Sequence, residues 1–184
     1  LLGLLACSGD SLNIANINNP DVARAYATPS GVEGVVAGLG VQLNNPQRST
    51  NTVNTQAKIL SGENIASVAN FGMAARSQIP RSVISNELGN DQNAGNLANF
   101  NDFSRLARTA SNAIAAVNRL ATTSQTIGSP AQDARAKAFA FLVLGQALGN
   151  LALAYDSAAI VTPATPSDVV PGLSGAAQVG VTAL

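Results

Sequence analysis

The sequence predicts an all-α fold built around helical hairpins and interrupted by long irregular loops. Several segments repeat apolar residues at helical spacing, and capping residues stand where those segments begin. Aromatic residues make up only 4% of the chain, so packing relies on small side chains. With 184 residues, the chain is long enough for one domain with its own hydrophobic core.

The first predicted helix covers residues 28–43. Thr28 is suited to cap it and Pro29 to open it. The Asn44-Asn45-Pro46 sequence is expected to end it, because the residue before a proline disfavours helical backbone. Its apolar stripe consists of Val32, Val35, Val36, Leu39 and Leu43.

A second helical region is predicted over roughly residues 53–78. Ser61-Gly62 is a place where it breaks or bends, and Ile79-Pro80 closes it. Its apolar residues keep an approximate helical period at Ile59, Ile65, Val68, Ala69 and Met73.

Residues 81–101 form the longest stretch predicted to be irregular. Its second half, NDQNAGNLANFN, is polar and low in complexity. A long loop in a compact domain is usually functional or disordered. Amide and carboxylate side chains suit carbohydrate hydroxyls and suit water equally well, and a solvated loop is the preferred interpretation.

A strong helix is predicted over residues 102–122, with Asp102 as its cap. Arginines at positions 105, 108 and 119 lie off the core stripe, together with Asn112. They indicate either an anion patch or a plain solvated helix face, and the solvated face is preferred. The predicted core face consists of Phe103, Leu106, Ala107, Ala110, Ile114, Val117 and Leu120.

The helix predicted over residues 130–156 organises the chain. Ser129 caps it, Pro130 opens it and Asp133 lies in its first turn. Apolar residues outside the predicted core stripe make it apolar nearly all round, so it is expected to be central. The predicted stripe is Ala134, Ala138, Phe141, Leu142, Gly145, Leu148, Gly149, Ala152 and Tyr155; outside it lie Phe139, Val143, Leu144 and Leu151.

A membrane span is the competing interpretation of this helix, because 18 residues pass without a charge. Gln146 and Asn150 interrupt the apolar run, so a core helix is preferred. Gly145 and Gly149 form a GxxxG pair, which here indicates close approach of a neighbouring helix.

The two helices form a predicted αα-hairpin, the unit of tetratricopeptide-like folds. No second copy recurs at a 34-residue period, so a regular repeat array is not predicted. A Pro-rich loop follows over residues 161–172, and residues 174–184 begin another helix.

The composition excludes several functional classes. Charged residues are 11% of the chain and the formal net charge is zero, so no basic surface for nucleic acid is expected. The chain has no His and one Cys, which removes His-based catalysis and the usual zinc sites. No phosphate-binding loop motif occurs. We therefore expect no enzyme, no catalytic residue, no metal site and no cofactor.

The N-terminal run LLGLLAC resembles the end of a bacterial lipoprotein signal peptide with its lipobox. Cys7 is the candidate for lipidation, and Ala6 leaves room for the signal peptidase. Residues 1–7 are assigned to this element, 8–27 to a polar tether, and 28–184 to the helical domain. The alternative is a buried apolar N-terminus with an inert thiol.

Taken in order, Cys7 with DSLNIANINNP, the segment TPSGVEGVVAGLG and the helix DARAKAFAFLVLGQALGNLALAYD resemble the N-terminal part of the SusD/RagB family of outer-membrane lipoproteins. The resemblance implies a tetratricopeptide-like scaffold whose C-terminal half is missing here. It also implies a lipid-anchored protein facing the exterior of a bacterial outer membrane. Such a protein would bind glycans or other polymers and act as the lid of a SusC-like TonB-dependent transporter.

The resemblance assigns no ligand-binding residue. Family members typically stack sugars on Trp and Tyr, whereas this chain has no Trp and only Tyr26 and Tyr155. The alternative function is a secreted structural helical protein of flagellin-like composition, for which no lipid anchor is needed.

Replacement of Cys7 by Ala is expected to abolish incorporation of a fatty-acid analogue in metabolic labelling, because no other thiol is available for acylation. The unmodified chain, expressed with its own signal peptide in the same host, is the control. Equal labelling of both forms would rule out a lipoprotein.

Overall fold

The computed structural model describes residues 22–48, 51–67, 72–81 and 83–184. Over these residues the chain is mostly helical, which confirms the all-α prediction. The segment 1–7 with Cys7, and the tether as far as residue 21, lie outside the described residues. The described elements are α1 (Val22–Ala25), α2 (Pro29–Arg48), α3 (Val53–Ser61), α4 (Met73–Ser77), α5 (Asp91–Thr122), α6 (Pro130–Ala154), β1 (Ser157–Ala159), β2 (Leu173–Gly175) and α7 (Ala176–Thr182).

The predicted hairpin forms the centre of the molecule. α5 packs along α6, α2 lies against both, and α7 packs against α6. All seven residues of the predicted α5 core face are buried. On α2, the valines at positions 32 and 36 and Leu39 are buried, while Val35 and Leu43 are half-buried, as the stripe predicts.

Local hydrogen bonds hold the hairpin turn in place. The hydroxyl of Ser129 accepts the backbone N–H of Gln132 at 3.3 Å, which confirms Ser129 as the cap of α6. Asp133 is buried, and its carboxylate accepts the backbone N–H of Ile127 at 2.9 Å. The acid in the first turn thus ties the loop to the helix as well as meeting the helix dipole.

The core face predicted for α6 is wrong. Ala134 and Ala138 are exposed, and Phe141 and Leu142 keep 51% and 56% of their surface accessible. Only Leu148 of the predicted stripe is fully buried. Because the helix is apolar nearly all round, its own periodicity did not distinguish the face that packs on α5 and α2. The buried residues are Asp133, Ala136, Ala140, Val143, Leu144, Ala147, Leu148 and Leu151.

The GxxxG pair of α6 receives α7, which confirms the predicted close approach of a helix. A Cβ atom added at Gly145 would lie 2.7 Å from the backbone oxygen of Ala183. In return, a Cβ atom at Gly180 would lie 3.6 Å from that of Ala152. Within the described ranges, α6 is the one helix long and apolar enough to cross a membrane, a test that core helices also pass.

Helix boundaries differ from the predicted ones in the first half of the chain. α2 continues through Pro46 to Arg48, and the proline is buried near the helix end, where it removes only one late hydrogen bond. The break predicted at Ser61-Gly62 is confirmed, because Gly62 ends α3 in a left-handed conformation with φ of 82°. Ile65 is 86% exposed in the segment after that break.

The predicted irregular stretch is also partly helical. α5 begins at Asp91, and its cap is Asn90, whose side chain accepts the backbone N–H of Gln92 at 2.9 Å. Asp102 therefore lies within the helix and does not cap it. Low helix propensity in this segment is overridden by packing, because Gly95 and Asn99 are buried against the segment before α3.

The Pro-rich loop is confirmed and is closed by an unpredicted hairpin. β1 and β2 pair antiparallel, with Ala158 opposite Ser174. The helix predicted from residue 174 begins at Ala176, after this pairing.

Replacing Gly145 by Ala is expected to lower the free energy of unfolding by about 1–3 kcal/mol, because the new methyl group displaces the α7 backbone. The control is Gly38→Ala in α2, where a Cβ atom meets nothing within 4 Å. That change should stabilise by about 0.5–1 kcal/mol. Urea unfolding monitored by circular dichroism compares them, and equal stabilisation in both variants would contradict the α6–α7 contact.

Candidate functional site

A cleft of about 540 Å³ lies where α3, the segment before α5, the first half of α5 and the end of α6 meet. We call it the amide cleft, because four carboxamide side chains line it among apolar ones. Its polar lining is Gln56, Arg76, Asn86, Asn93, Asn96, Tyr155 and Asp156; its apolar lining includes Val53, Leu60, Ile84, Leu97, Phe100 and Leu153.

Asn96 is the centre of the polar network. Its side-chain oxygen accepts an N–H of Arg76 at 2.7 Å, and its amide nitrogen donates to the side-chain oxygen of Asn86 at 3.0 Å. Arg76 also donates to the backbone oxygen of Gln92 at 3.3 Å. α4 and the segment before α5 are thereby fixed to the first turns of α5.

Arg76 is 1% exposed, and its guanidinium reaches α5 because the neighbouring backbone position is a glycine. A Cβ atom at Gly72 would lie 2.9 Å from Nη1 of Arg76 and 2.7 Å from the Cα atom of Gln92. Gly72 also adopts a left-handed conformation with φ of 68°. This position therefore requires glycine on two separate grounds.

An aromatic pair closes the α6 end of the cleft. The rings of Phe100 and Tyr155 meet edge to face, with centroids 5.1 Å apart and an interplanar angle of 77°. The hydroxyl of Tyr155 donates to the backbone oxygen of Asn96 at 2.6 Å. This bond joins the end of α6 to the first half of α5.

Burial raises the pKa of Tyr155 to about 12. A hydrogen bond with the Phe100 backbone and the positive charge of Arg76 act in the opposite direction and reduce this shift. Desolvation lowers the pKa of Arg76, and the neighbouring Tyr155 opposes that shift. At neutral pH the cleft therefore contains a neutral phenol that donates and a guanidinium that remains charged.

Buried amides anchor α3 behind the cleft. Gln56 donates to the side-chain oxygen of Asn51 at 2.9 Å, and Asn99 donates to the backbone oxygen of Asn51 at 2.8 Å. Gly95 allows this contact, because a Cβ atom there would lie 2.3 Å from the amide nitrogen of Asn51. These hydrogen bonds fix α3, which forms one wall of the cleft, to α5.

The chemistry available in the amide cleft is hydrogen bonding with apolar contact. Amides of Asn86 and Asn93 can donate and accept, and the carboxylate of Asp156 can accept. Across the described ranges, no three Cys, Asp or Glu side chains gather in a way that could hold a metal ion. The cleft suits a polar, uncharged ligand with apolar faces.

The predicted functional positions fall in different places. Cys7 lies outside the described residues. Tyr155 closes the amide cleft, whereas Tyr26 lies at a second cleft, beside Arg119. Arg108 binds carbonyl groups of the Pro-rich loop and is therefore more than a solvated side chain.

Sequence reasoning missed Arg76, Asn86 and Asn96 as partners. The amide-rich composition of residues 90–101 is a signal for Asn96 alone, and no local pattern points to Arg76 or Asn86.

Comparison of this chain with protein-family models, with curated proteins and with solved structures finds no match.

Replacing Tyr155 by Phe is expected to lower the free energy of unfolding by about 0.5–1.5 kcal/mol, because the bond to Asn96 is lost. The raised pKa also stabilises the fold below pH 10, and that contribution is lost as pH rises through about 12. Stability of the unmodified chain should therefore fall over this range, and Tyr155→Phe should reduce the fall.

Urea unfolding at a series of alkaline pH values measures this effect. Burial raises the pKa of Tyr26 in the same direction, so Tyr26→Phe serves as the matched variant. An alkaline decline in Tyr155→Phe as steep as that of the unmodified chain would show that Tyr155 is not responsible.

Proposed function

We propose that this protein is a surface-exposed, lipid-anchored nutrient-binding protein of SusD/RagB type, which acts as the lid of a SusC-like TonB-dependent outer-membrane transporter. The order of sequence features from Cys7 to α6 supports the transporter part. The amide cleft is the observation that carries the ligand-binding part. The α5–α6 hairpin corresponds in this proposal to one unit of a tetratricopeptide-like scaffold.

The ligand is proposed to be a neutral glycan or a similar polar oligomer. Carboxamide groups form paired hydrogen bonds with hydroxyl groups, and the Phe100–Tyr155 pair offers an aromatic edge beside them. The apolar lining then takes the C–H faces of the ligand. No enzymatic step is included, since binding and transfer to the transporter need none.

Binding is tested with a panel of neutral gluco-, manno- and xylo-oligosaccharides by isothermal titration calorimetry. Asn93→Ala is expected to weaken binding about tenfold or more, since its side chain lines the cleft and makes no hydrogen bond to any other described residue. Asn101→Ala is the matched control, because that exposed amide lies on the same helix away from the cleft. Equal losses in both variants would reject the cleft as the ligand site.

The transporter part is tested by affinity purification from detergent-solubilised membranes of the native host. A large β-barrel protein is expected to co-purify with the unmodified chain and to be lost with Cys7→Ala, which releases the chain from the membrane. Absence of a β-barrel partner under conditions that retain the lipidated chain would contradict the proposal.

One observation favours the alternative, a structural protein of flagellin-like composition that assembles with itself. A groove of about 730 Å³ between α6 and α7 is lined without any charged residue and leaves Phe141, Leu142 and Leu153 exposed. Exposed apolar surfaces of this kind mark interaction sites. Recovery of self-polymers without a barrel protein in the same purification would support this alternative.

A further inference from the structure

We propose that a second cleft, between α5 and the Pro-rich loop, binds the oxyanion of an acidic ligand, a carboxylate or a sulfate. We call it the loop cleft; its volume is about 740 Å³. Tyr26, Asn112 and Arg119 line one side of it, and residues 163–167 of the loop, which include the hydroxyl groups of Thr165 and Ser167, line the other. It shares no lining residue with the amide cleft, so the inference stands whether or not the proposed function does.

Arg119 gives the loop cleft a positive charge that no lining residue neutralises. None of the residues lining the cleft is acidic. Among the described residues, the partner of the guanidinium is the backbone oxygen of Tyr26, so most of its five N–H donors remain available. Asp168, an exposed acid one residue beyond the lining, is the nearest carboxylate along the loop sequence.

Two further donors stand beside Arg119. Among the described residues, the side chain of Asn112 has no hydrogen-bond partner. The hydroxyl of Tyr26 lies 3.5 Å from the backbone oxygen of Thr109, at the limit of a hydrogen bond, and can turn to a ligand. Burial raises the pKa of Tyr26, so this hydroxyl keeps its proton.

Arg108 fixes the opposite wall of the loop cleft. Its guanidinium donates to the backbone oxygens of Pro166 at 3.0 Å and Val169 at 2.5 Å. Thr165 accepts the backbone N–H of Thr162 at 3.0 Å and tightens the same loop. Two loop carbonyls are thus occupied by Arg108, which does not line the cleft, and the loop wall is held in place before a ligand binds.

A compact oxyanion matches these donors better than a neutral hydroxyl group does. Charge-assisted hydrogen bonds from a guanidinium are about twice as strong as neutral ones. A ligand bearing a carboxylate or sulfate group should therefore bind the loop cleft, and its affinity should fall with increasing salt.

The test compares trigalacturonate with its fully methyl-esterified form, which differ in charge and little in shape, by isothermal titration calorimetry on the full chain. The acid is expected to bind about tenfold more tightly than the ester. Arg119→Gln should remove most of that preference, whereas Arg105→Gln, an equal change of charge at an exposed position off the cleft, should keep it. Sodium sulfate, titrated alone and as a competitor, identifies a free oxyanion as the occupant if it binds and displaces the acid.

Asn112→Ala provides a second variant in case Arg119→Gln disturbs the contact with Tyr26. It breaks no hydrogen bond among the residues that the structure describes, and it should also reduce affinity for the acid, with an unchanged circular dichroism spectrum. Equal binding of acid and ester, or equal losses in Arg105→Gln and Arg119→Gln, would overturn the proposal. Neutral oligosaccharide binding in the amide cleft is expected to be unaffected by these variants. The proposal for each cleft is therefore tested independently of the other.

Discussion

The packing of α5 against α6 is the contact on which the rest of the structure depends. Its interface is rich in alanine on both helices, with Ala110 and Ala113 of α5 and Ala140 and Ala147 of α6 in one buried cluster. Small side chains let the two helices approach closely, and the larger Ile114, Val143 and Leu148 fill the remaining volume. The chain has five Phe and no Trp, so close helix approach replaces bulky aromatic packing in this core.

α5 contributes residues to both clefts, at separate positions along its length. Asn96 and Asn112 are sixteen residues apart, which corresponds to about 24 Å along a helix. The N-terminal half of α5 meets α3, α4 and the end of α6 to form the amide cleft. The C-terminal half of α5 meets Tyr26 and the Pro-rich loop to form the loop cleft, so both clefts are built on the same continuous helix.

Arginines serve different purposes in the two regions, because their surroundings differ. Arg76 is buried and donates to the backbone oxygen of Gln92 and the side-chain oxygen of Asn96. It thereby holds α4 against α5 at the amide cleft. Arg108 holds the Pro-rich loop in the same manner. Arg119 is exposed and has donors to spare, which makes it suited to a ligand. Carbonyl groups, which carry no full charge, leave these guanidinium groups positively charged.

The sequence by itself determined the all-α class, the α5–α6 hairpin, the core face of α5 and the caps of α2 and α6, because helical periodicity and capping are local properties. The tertiary structure decided which face of α6 is buried, since a helix apolar on every side carries no periodic signal. It also decided the start of α5, where Gly95 and Asn99 pack on a distant segment against their weak helix propensity. The amide cleft joins Arg76, Asn96 and Tyr155 across as many as 79 residues, a juxtaposition that no local pattern records. Cys7 remains a prediction from sequence alone.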